Sequence, residues 1–174
     1  MILTDIPYNK DFLPELGDLT EFAARVLVDG GLFVTAVGKA FLPDYFAEFG
    51  KRLEWGWESS TTWQGDSPPH YPRNCVSRFT PWLIYSKGKW VRRGFWRDRY
   101  ECPAKEKDLH PWQKSQPDVE HWLRCFSEPG DLVCDPCAGS FTTAEACFLQ
   151  QRRFIGCDCV EENVIRGQQR IANL

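Results

Sequence analysis

Short, nearly continuous apolar runs recur along this chain, and stretches whose apolar positions fall three and four residues apart lie between them. Ile2-Leu3-Thr4 reads as the end of a short strand. From Pro14 to Val28 the pattern is an amphipathic helix with Leu16, Leu19, Phe22, Val26 and Leu27 on one face, closed by Gly30-Gly31. Leu32 to Val37 predicts a buried strand, Pro43 opens a second helix carrying Phe46, Phe49 and Leu53, and Glu54 to Trp63 predicts a further strand. Gly65 to Asn74, rich in proline and polar residues, is a loop; Thr80 to Ser86 is a strand, and Lys87 to Leu109 is irregular. Ser115-Gln116-Pro117-Asp118 caps a helix that turns Val119, Trp122, Leu123 and Phe126 inward. Asp131 to Cys134 has strand length, Ala144 to Leu149 forms helix, and Arg153 to Asp158 is a strand ending in an acid. Strands alternating with helices predict an α/β fold, a largely parallel sheet covered on both faces. No internal repeat or low-complexity segment interrupts it.

The 174 residues are one domain's worth, enough to bury a core. No uncharged apolar run approaches the roughly 18 residues that a membrane span needs. Asp5 interrupts the start before a signal-peptide core can develop. Eight cysteines without such a signal suggest reduced thiols and a cytoplasmic location.

The net charge of −3 conceals an uneven distribution: residues 1–50 carry −5, residues 51–114 carry +6 and residues 115–174 carry −4. The basic middle also holds seven of the eight tryptophans. There Lys87, Lys89, Arg92, Arg93, Arg97 and Arg99 interleave with Trp90, Phe95, Trp96 and Tyr100. Cations beside flat stacking surfaces suit a nucleic-acid face, with Trp96 among the stacking residues. The competing reading is a solvated loop whose aromatics belong to the core.

The clearest chemical signal is Asp135-Pro136-Cys137-Ala138-Gly139-Ser140-Phe141-Thr142-Thr143, set between a strand and a helix, with a second strand ending at Asp158. Strand, small-residue turn, helix and acid-tipped strand make half of a nucleotide-binding unit. Gly139 allows close backbone approach, the helix start offers N–H groups, and Asp158 can accept hydrogen bonds from ribose hydroxyls. The region is expected to bind a ribose-containing molecule.

On these residues the chain resembles S-adenosylmethionine-dependent DNA amino-methyltransferases, whose cofactor turn reads Asp-Pro-Phe-Ala-Gly-Ser-Gly-Thr-Thr. Thr4-Asp5-Ile6-Pro7-Tyr8-Asn9 is similar to the family's catalytic Asp-Pro-Pro-Tyr motif. His110-Pro111-Trp112-Gln113-Lys114, ahead of Pro129-Gly130-Asp131, resembles a His-Pro-Thr-Gln-Lys-Pro segment that packs beside the cofactor's methionine part. Catalytic motif first and cofactor motif last is the circularly permuted order of the β class. The resemblance spans nearly the whole chain and implies a Rossmann-like methyltransferase fold in a single domain over residues 1–174. Its catalytic half is 1–63, its recognition region 64–109 and its cofactor half 110–174.

The resemblance further implies that S-adenosylmethionine lies against Asp135, Pro136, Cys137, Ala138, Gly139, Ser140 and Phe141, with Asp158 on the ribose and Cys159 and Val160 bordering the adenine. His110, Gln113 and Lys114 would close over the methionine end. DNA is the expected partner. An exocyclic amine is a poor nucleophile because its lone pair is delocalised into the ring. Asp5 would accept one N–H, the Ile6 carbonyl the other, Pro7 would fix the turn and Tyr8 would stack on a base extruded from the duplex. Transfer would then be an in-line displacement with no metal, governed by positioning. An Asp at the head of the motif points to adenine N6 before cytosine N4.

Departures from the family pattern create further expectations. Ile6 stands where the family has its first proline, and Phe141 replaces a glycine, which strains the backbone if a positive φ is required and threatens to fill the cofactor site. Ser115 replaces a proline. The family's further strand and Gly-Asp segment ahead of the catalytic strand have no counterpart before Asp5, so an N-terminal edge strand is expected to be missing. A second copy or another chain would then complete the sheet. Two other classes stay open. One is a zinc protein using Cys134-x-x-Cys137 and Cys157-x-Cys159; the other is a DNA-binding subunit that kept the fold and lost turnover. His70 and His121 are assigned no role.

Overall fold

The computed structural model describes residues 1–63, 69–91, 94–103 and 115–174. Its strands form one seven-stranded sheet in the order β5-β3-β4-β2-β1-β6-β7. The strands are β1 (Ile2–Asp5), β2 (Leu32–Ala36), β3 (Glu54–Trp63), β4 (Phe79–Ser86), β5 (Arg99–Cys102), β6 (Leu132–Asp135) and β7 (Arg153–Gly156). β1 pairs in parallel with β2 and β6, β6 with β7, and β3 with β5; β4 alone runs against its neighbours. The helices are α1 (Leu16–Val26), α2 (Leu42–Phe49), α3 (Gln116–Phe126), α4 (Thr142–Leu149) and α5 (Glu161–Ala172).

Two apolar layers sandwich the sheet, as the near-continuous apolar strands require. Leu16, Leu19, Ala23, Tyr45 and Phe49 from α1 and α2 pack with Ile2, Ile6, Phe33 and Leu83 on one side. Val119, Trp122, Leu123 and Phe126 from α3, with Ala146 and Cys147 from α4, pack with Leu3, Val34, Trp82, Ile84 and Val133 on the other.

Several sequence expectations are corrected. Pro14 lies in a 3-10 segment (Lys10–Glu15), so α1 begins at Leu16. That start brings Leu16, Leu19, Thr20 and Ala23 inward, while Val26 is left 46% exposed. Leu53 falls beyond α2 but is still buried, whereas Phe46 sits at the surface against Trp55. The stretch expected to be irregular contains β5, whose Tyr100 and Cys102 face the helix layer and whose Arg99 and Glu101 face solvent. Ser115 does not cap α3 through its side chain but receives the Cys102 thiol at 3.3 Å. Asp118 is buried, taking bonds from Thr61 Oγ1 at 2.5 Å and Trp122 Nε1 at 3.0 Å. No described helix is long and apolar enough to cross a membrane.

Candidate functional site

Parallel strands β1 and β6 lie side by side and end together, so Asp5 and Asp135 come to the same edge of the sheet. The crevice beyond the carboxyl ends of such strands is where α/β sheets take ligands. Here it is a cleft of about 450 Å³, in the range that encloses small molecules. Asp5, Ile6, Pro7 and Tyr8 line one wall; Asp135, Cys137, Ala138, Gly139 and Ser140 line another, with Asp158 beside them. Residues separated by more than 130 positions in sequence thus share one cavity.

The catalytic candidates are held by the end of β1. The Ile6 side chain is buried in the α1–α2 layer, which anchors the turn at the position of the family's missing proline. Pro7 and Tyr8 emerge beyond it, and Tyr8 is 42% exposed. The Tyr8 hydroxyl donates to Asp5 Oδ1. Desolvation of that hydroxyl, reinforced by the Asp5 charge, holds Tyr8 well above the ordinary phenol range, so it remains a neutral donor. Gly38, at the end of β2, supports the ring closely: a Cβ there would meet Tyr8 Cβ at 2.9 Å.

Asp135 is the knot beneath the cleft. Its Oδ1 accepts from Thr4 Oγ1 at 2.7 Å and the Cys137 amide at 3.1 Å, and its Oδ2 from Thr143 Oγ1 at 2.7 Å. One side chain therefore ties β1, the turn and α4 together. Burial pushes its pKa up to about 6; the Thr143, Thr4 and Cys137 bonds counter that shift and the Asp5 charge adds to it.

Asp158 grips the turn from the far side. Its Oδ2 accepts from the Gly139 amide at 2.8 Å, and its Oδ1 from the Val160 amide at 2.9 Å and Asn163 Nδ2 at 3.0 Å. A carboxylate offers about four acceptor positions, so roughly one remains for a ligand hydroxyl. The two-hydroxyl clamp expected from the sequence requires one of these internal bonds to exchange. Gly139 has φ +48°, and a Cβ there would meet nothing nearer than 4.0 Å, so the turn has an open face toward a ligand.

Phe141 does not line the cleft, which corrects its expected place at the cofactor. Its backbone does adopt the left-handed region, at φ 59° and ψ 30°. The ring turns away, 7% exposed, and packs with Ala138, Ala144, Phe154, Val164 and Ile171 against the bare backbone of Gly167 on α5. Pro136 and Cys159 are also outside the lining: the Pro136 carbonyl accepts from the Cys157 thiol at 3.5 Å, and Cys159 is exposed. His110, Gln113 and Lys114 lie outside the described residues, as do Arg92 and Arg93.

Sequence reasoning missed Asn9, Thr142, Thr143 and Asn163, all in the cleft wall. It also missed Arg170, whose Nη1 donates to the Ser140 carbonyl at 2.9 Å and which pairs with the largely buried Glu145. The threonines continue the turn motif and could have been inferred; Asn163 and Arg170 sit on a helix with no local sign of their target.

Part of the basic aromatic stretch is reassigned. Trp96 packs on Phe126 and Trp122 beside Trp90, filling the α3 layer instead of offering a stacking platform. Lys87 Nζ donates to the Leu27 carbonyl at 2.8 Å, and Arg99 pairs with Glu101. Lys89 and Arg97 are exposed. His121 stacks on Tyr100, and desolvation, then Arg124, lowers its pKa to about 4. Among the described residues no group of three or more His, Cys, Asp or Glu is arranged to hold a metal ion, which leaves the zinc reading without a site.

A Rossmann-like α/β domain with a ligand cleft at the strand ends is the class that this geometry defines. Residues 1–166 match the DNA methylase family N6_N4_Mtase, and the chain belongs to that family. A 66-residue stretch is 38% identical to the DNA adenine methyltransferase YhdJ of Escherichia coli (strain K12), covering 38% of this chain and only 22% of that relative. A complex of M1.HpyAVI with SAM superposes with a TM-score of 0.81 at 22% identity, over 99% of this chain and 88% of that one. The cytosine-N4-specific PvuII DNA methyltransferase does so with 0.80 at 16% identity, over 97% and 78%. At these identities the two structures show the shared fold.

Proposed function

We propose that the cleft takes S-adenosylmethionine and that the chain methylates an exocyclic amine of DNA, adenine N6 in the first place. The observation that carries this reading is the shared cavity: Asp5, Pro7 and Tyr8 face Cys137, Ala138, Gly139 and Ser140 across it. The wall suits such a cofactor. An open turn at Gly139, hydroxyls on Ser140 and Thr142, and the remaining acceptor position of Asp158 match a ligand with polar ends and a ribose. Family membership and the likeness to a SAM complex support it further. His110, Gln113 and Lys114 are kept as candidates for the methionine end on the motif resemblance alone, and DNA as the partner on family membership.

When bound, the cofactor supplies an electrophilic methyl group. The chain supplies geometry. The Asp5 carboxylate accepts one N–H of the target amine, and the Ile6 carbonyl is the candidate for the second, which draws the nitrogen lone pair out of the ring's conjugation. Held so, the nitrogen would turn its lone pair toward that methyl group, and the proton given up on transfer would pass to the Asp5 carboxylate that already accepts it. Tyr8, neutral and fastened to Asp5, presents its exposed ring to the base. The buried Ile6 holds the turn in place, so positioning supplies the acceleration.

The test combines calorimetry with S-adenosylmethionine and transfer of labelled methyl to unmethylated DNA, followed by digestion to nucleosides. Saturable binding that Asp158→Ala weakens, and N6-methyladenine formation that Asp5→Ala abolishes without loss of cofactor binding, are expected. No binding at millimolar ligand, or transfer unchanged in Asp5→Ala, would refute the reading. N4-methylcytosine as the product would replace adenine with cytosine and leave the mechanism intact.

A further inference from the structure

The direction of β4 separates two basic stretches that look alike in sequence. β4 runs against β2, pairing Trp82 with Ala36 and Ser86 with Leu32. Its first residue, Phe79, therefore sits at the edge where β1 and β2 end, and the residues before it emerge beside Tyr8. Lys87 follows β4 at the opposite edge, exchanging backbone bonds with Gly30 and Gly31. The five residues of β2 separate the two edges by roughly 16 Å at about 3.3 Å per residue. Lys87 and Lys89 are thus at the wrong end of the sheet to hold a strand whose base enters the cleft.

The segment ahead of β4 is braced against the catalytic turn. Gly38 touches Tyr8, and the next residue, Lys39, donates to Ser77 Oγ at 2.7 Å with its ammonium 3.1 Å over the Phe79 ring. The Val37 amide donates to the Pro81 carbonyl at 3.1 Å. Residues 70–75 close a tight turn, with the His70 amide donating to the Cys75 carbonyl at 2.8 Å and Asn74 in the left-handed region. Arg73 is exposed on that turn, and Arg78 is exposed next to Phe79. Residues 69–81 contain both arginines and no acidic side chain. The other side of the cleft carries Asp158, with exposed Glu161 and Glu162 at the start of α5. Exposed cations therefore stand on the Tyr8 side of this sheet edge, and exposed acids stand beyond the cofactor turn.

We propose that Arg73 and Arg78 form the phosphate-contacting lip that holds a DNA strand while its base reaches Tyr8, with Lys39 as the positioning residue that fixes the segment. This rests on the DNA-methylating reading above and names the surface by which that substrate is gripped.

Fluorescence anisotropy of the full chain with a labelled 25-base-pair duplex, repeated between 50 and 250 mM salt, tests it. Each phosphate contact contributes about 0.9 to the slope of log affinity against log salt. Arg73→Gln/Arg78→Gln is expected to lower that slope by nearly two and to weaken binding at least tenfold at 100 mM salt, with cofactor heats unchanged. Arg73→Lys/Arg78→Lys restores the slope, and Lys89→Gln leaves it unaltered. A glutamine variant that matches wild type, a loss that lysines do not restore, or a larger loss from Lys89→Gln overturns the lip while wild-type methylation keeps the parent reading. Wild-type protein that neither binds the duplex nor transfers methyl overturns both.

Discussion

Phe141 and Gly167 can be exchanged against each other to test whether the cofactor turn is held by packing from α5. The Phe141 ring lies on the α5 backbone at Gly167, where an added Cβ would sit 2.8 Å from Cδ1 and closer still to Cγ and Cδ2. Gly167→Ala in the native chain therefore forces the ring or the helix to shift. Overpacking of this kind costs about 1–3 kcal/mol, while alanine inside a helix returns about 1 kcal/mol. The net expectation is a destabilisation of about 1 kcal/mol.

Phe141→Gly removes a ring that is 7% exposed. Large-to-small changes of a buried phenylalanine cost about 3–5 kcal/mol, and relief of the left-handed backbone returns about 1–2 kcal/mol. That variant should lose about 1–4 kcal/mol, or about 2–16 °C in melting temperature for a domain of this size. With the ring gone, Gly167→Ala should change sign and stabilise by up to about 1 kcal/mol. Urea unfolding of all four proteins, followed by circular dichroism, measures the cycle. Equal effects of Gly167→Ala in both backgrounds would refute the contact. A tenfold gain of cofactor affinity in folded Phe141→Gly would refute the finding that the ring stands clear of the cleft.

Asp135 should give the fold a pH signature. Its folded pKa of about 6 exceeds the ordinary 3.8, so the native state holds this proton more tightly than the unfolded chain does. The stability it contributes is complete below about pH 4 and is lost as pH rises through about 6, by up to about 3 kcal/mol. Asp135→Asn should lack that change, and parallel slopes for the two proteins between pH 4 and 7 would sink the argument. Arg170→Gln should loosen the turn it braces through the Ser140 carbonyl and leave Glu145 without its cation. A fall in melting temperature with about tenfold weaker cofactor binding is expected by calorimetry, and unchanged affinity would restrict Arg170 to a role in stability.

The strands that position the cleft were legible because their signals are local. An apolar run ending in Asp5 and another ending in Asp135 announce two strand ends, and a parallel α/β sheet brings such ends to one crevice. β5 escaped because four residues alternating Arg, Tyr, Glu and Cys carry a weak period-two signal inside a charged stretch. Asp118 looked like a helix cap because an acid in a first turn normally is one; Thr61, far away in sequence, draws it inward. The fate of Phe141 was set by Gly167, and that of Trp96 by Trp122 and Phe126. In both cases the residue reads the same whether it meets ligand or core.

Charge is the signal that the sequence leaves most open, for a reason that belongs to topology. A run of cations has a sign and a length but no end of the sheet attached to it. The reversal of β4 sends the segment before it to the cleft and the segment after it to the opposite edge, although the two are separated by a single strand of eight residues. Had β4 been parallel to β2, the stretch after it, with Lys87 and Lys89, would have emerged beside Tyr8 and the one with Arg73 and Arg78 away from it. In the proposed lip, which basic segment faces the cleft is decided by the direction of one strand, not by where the basic residues are densest.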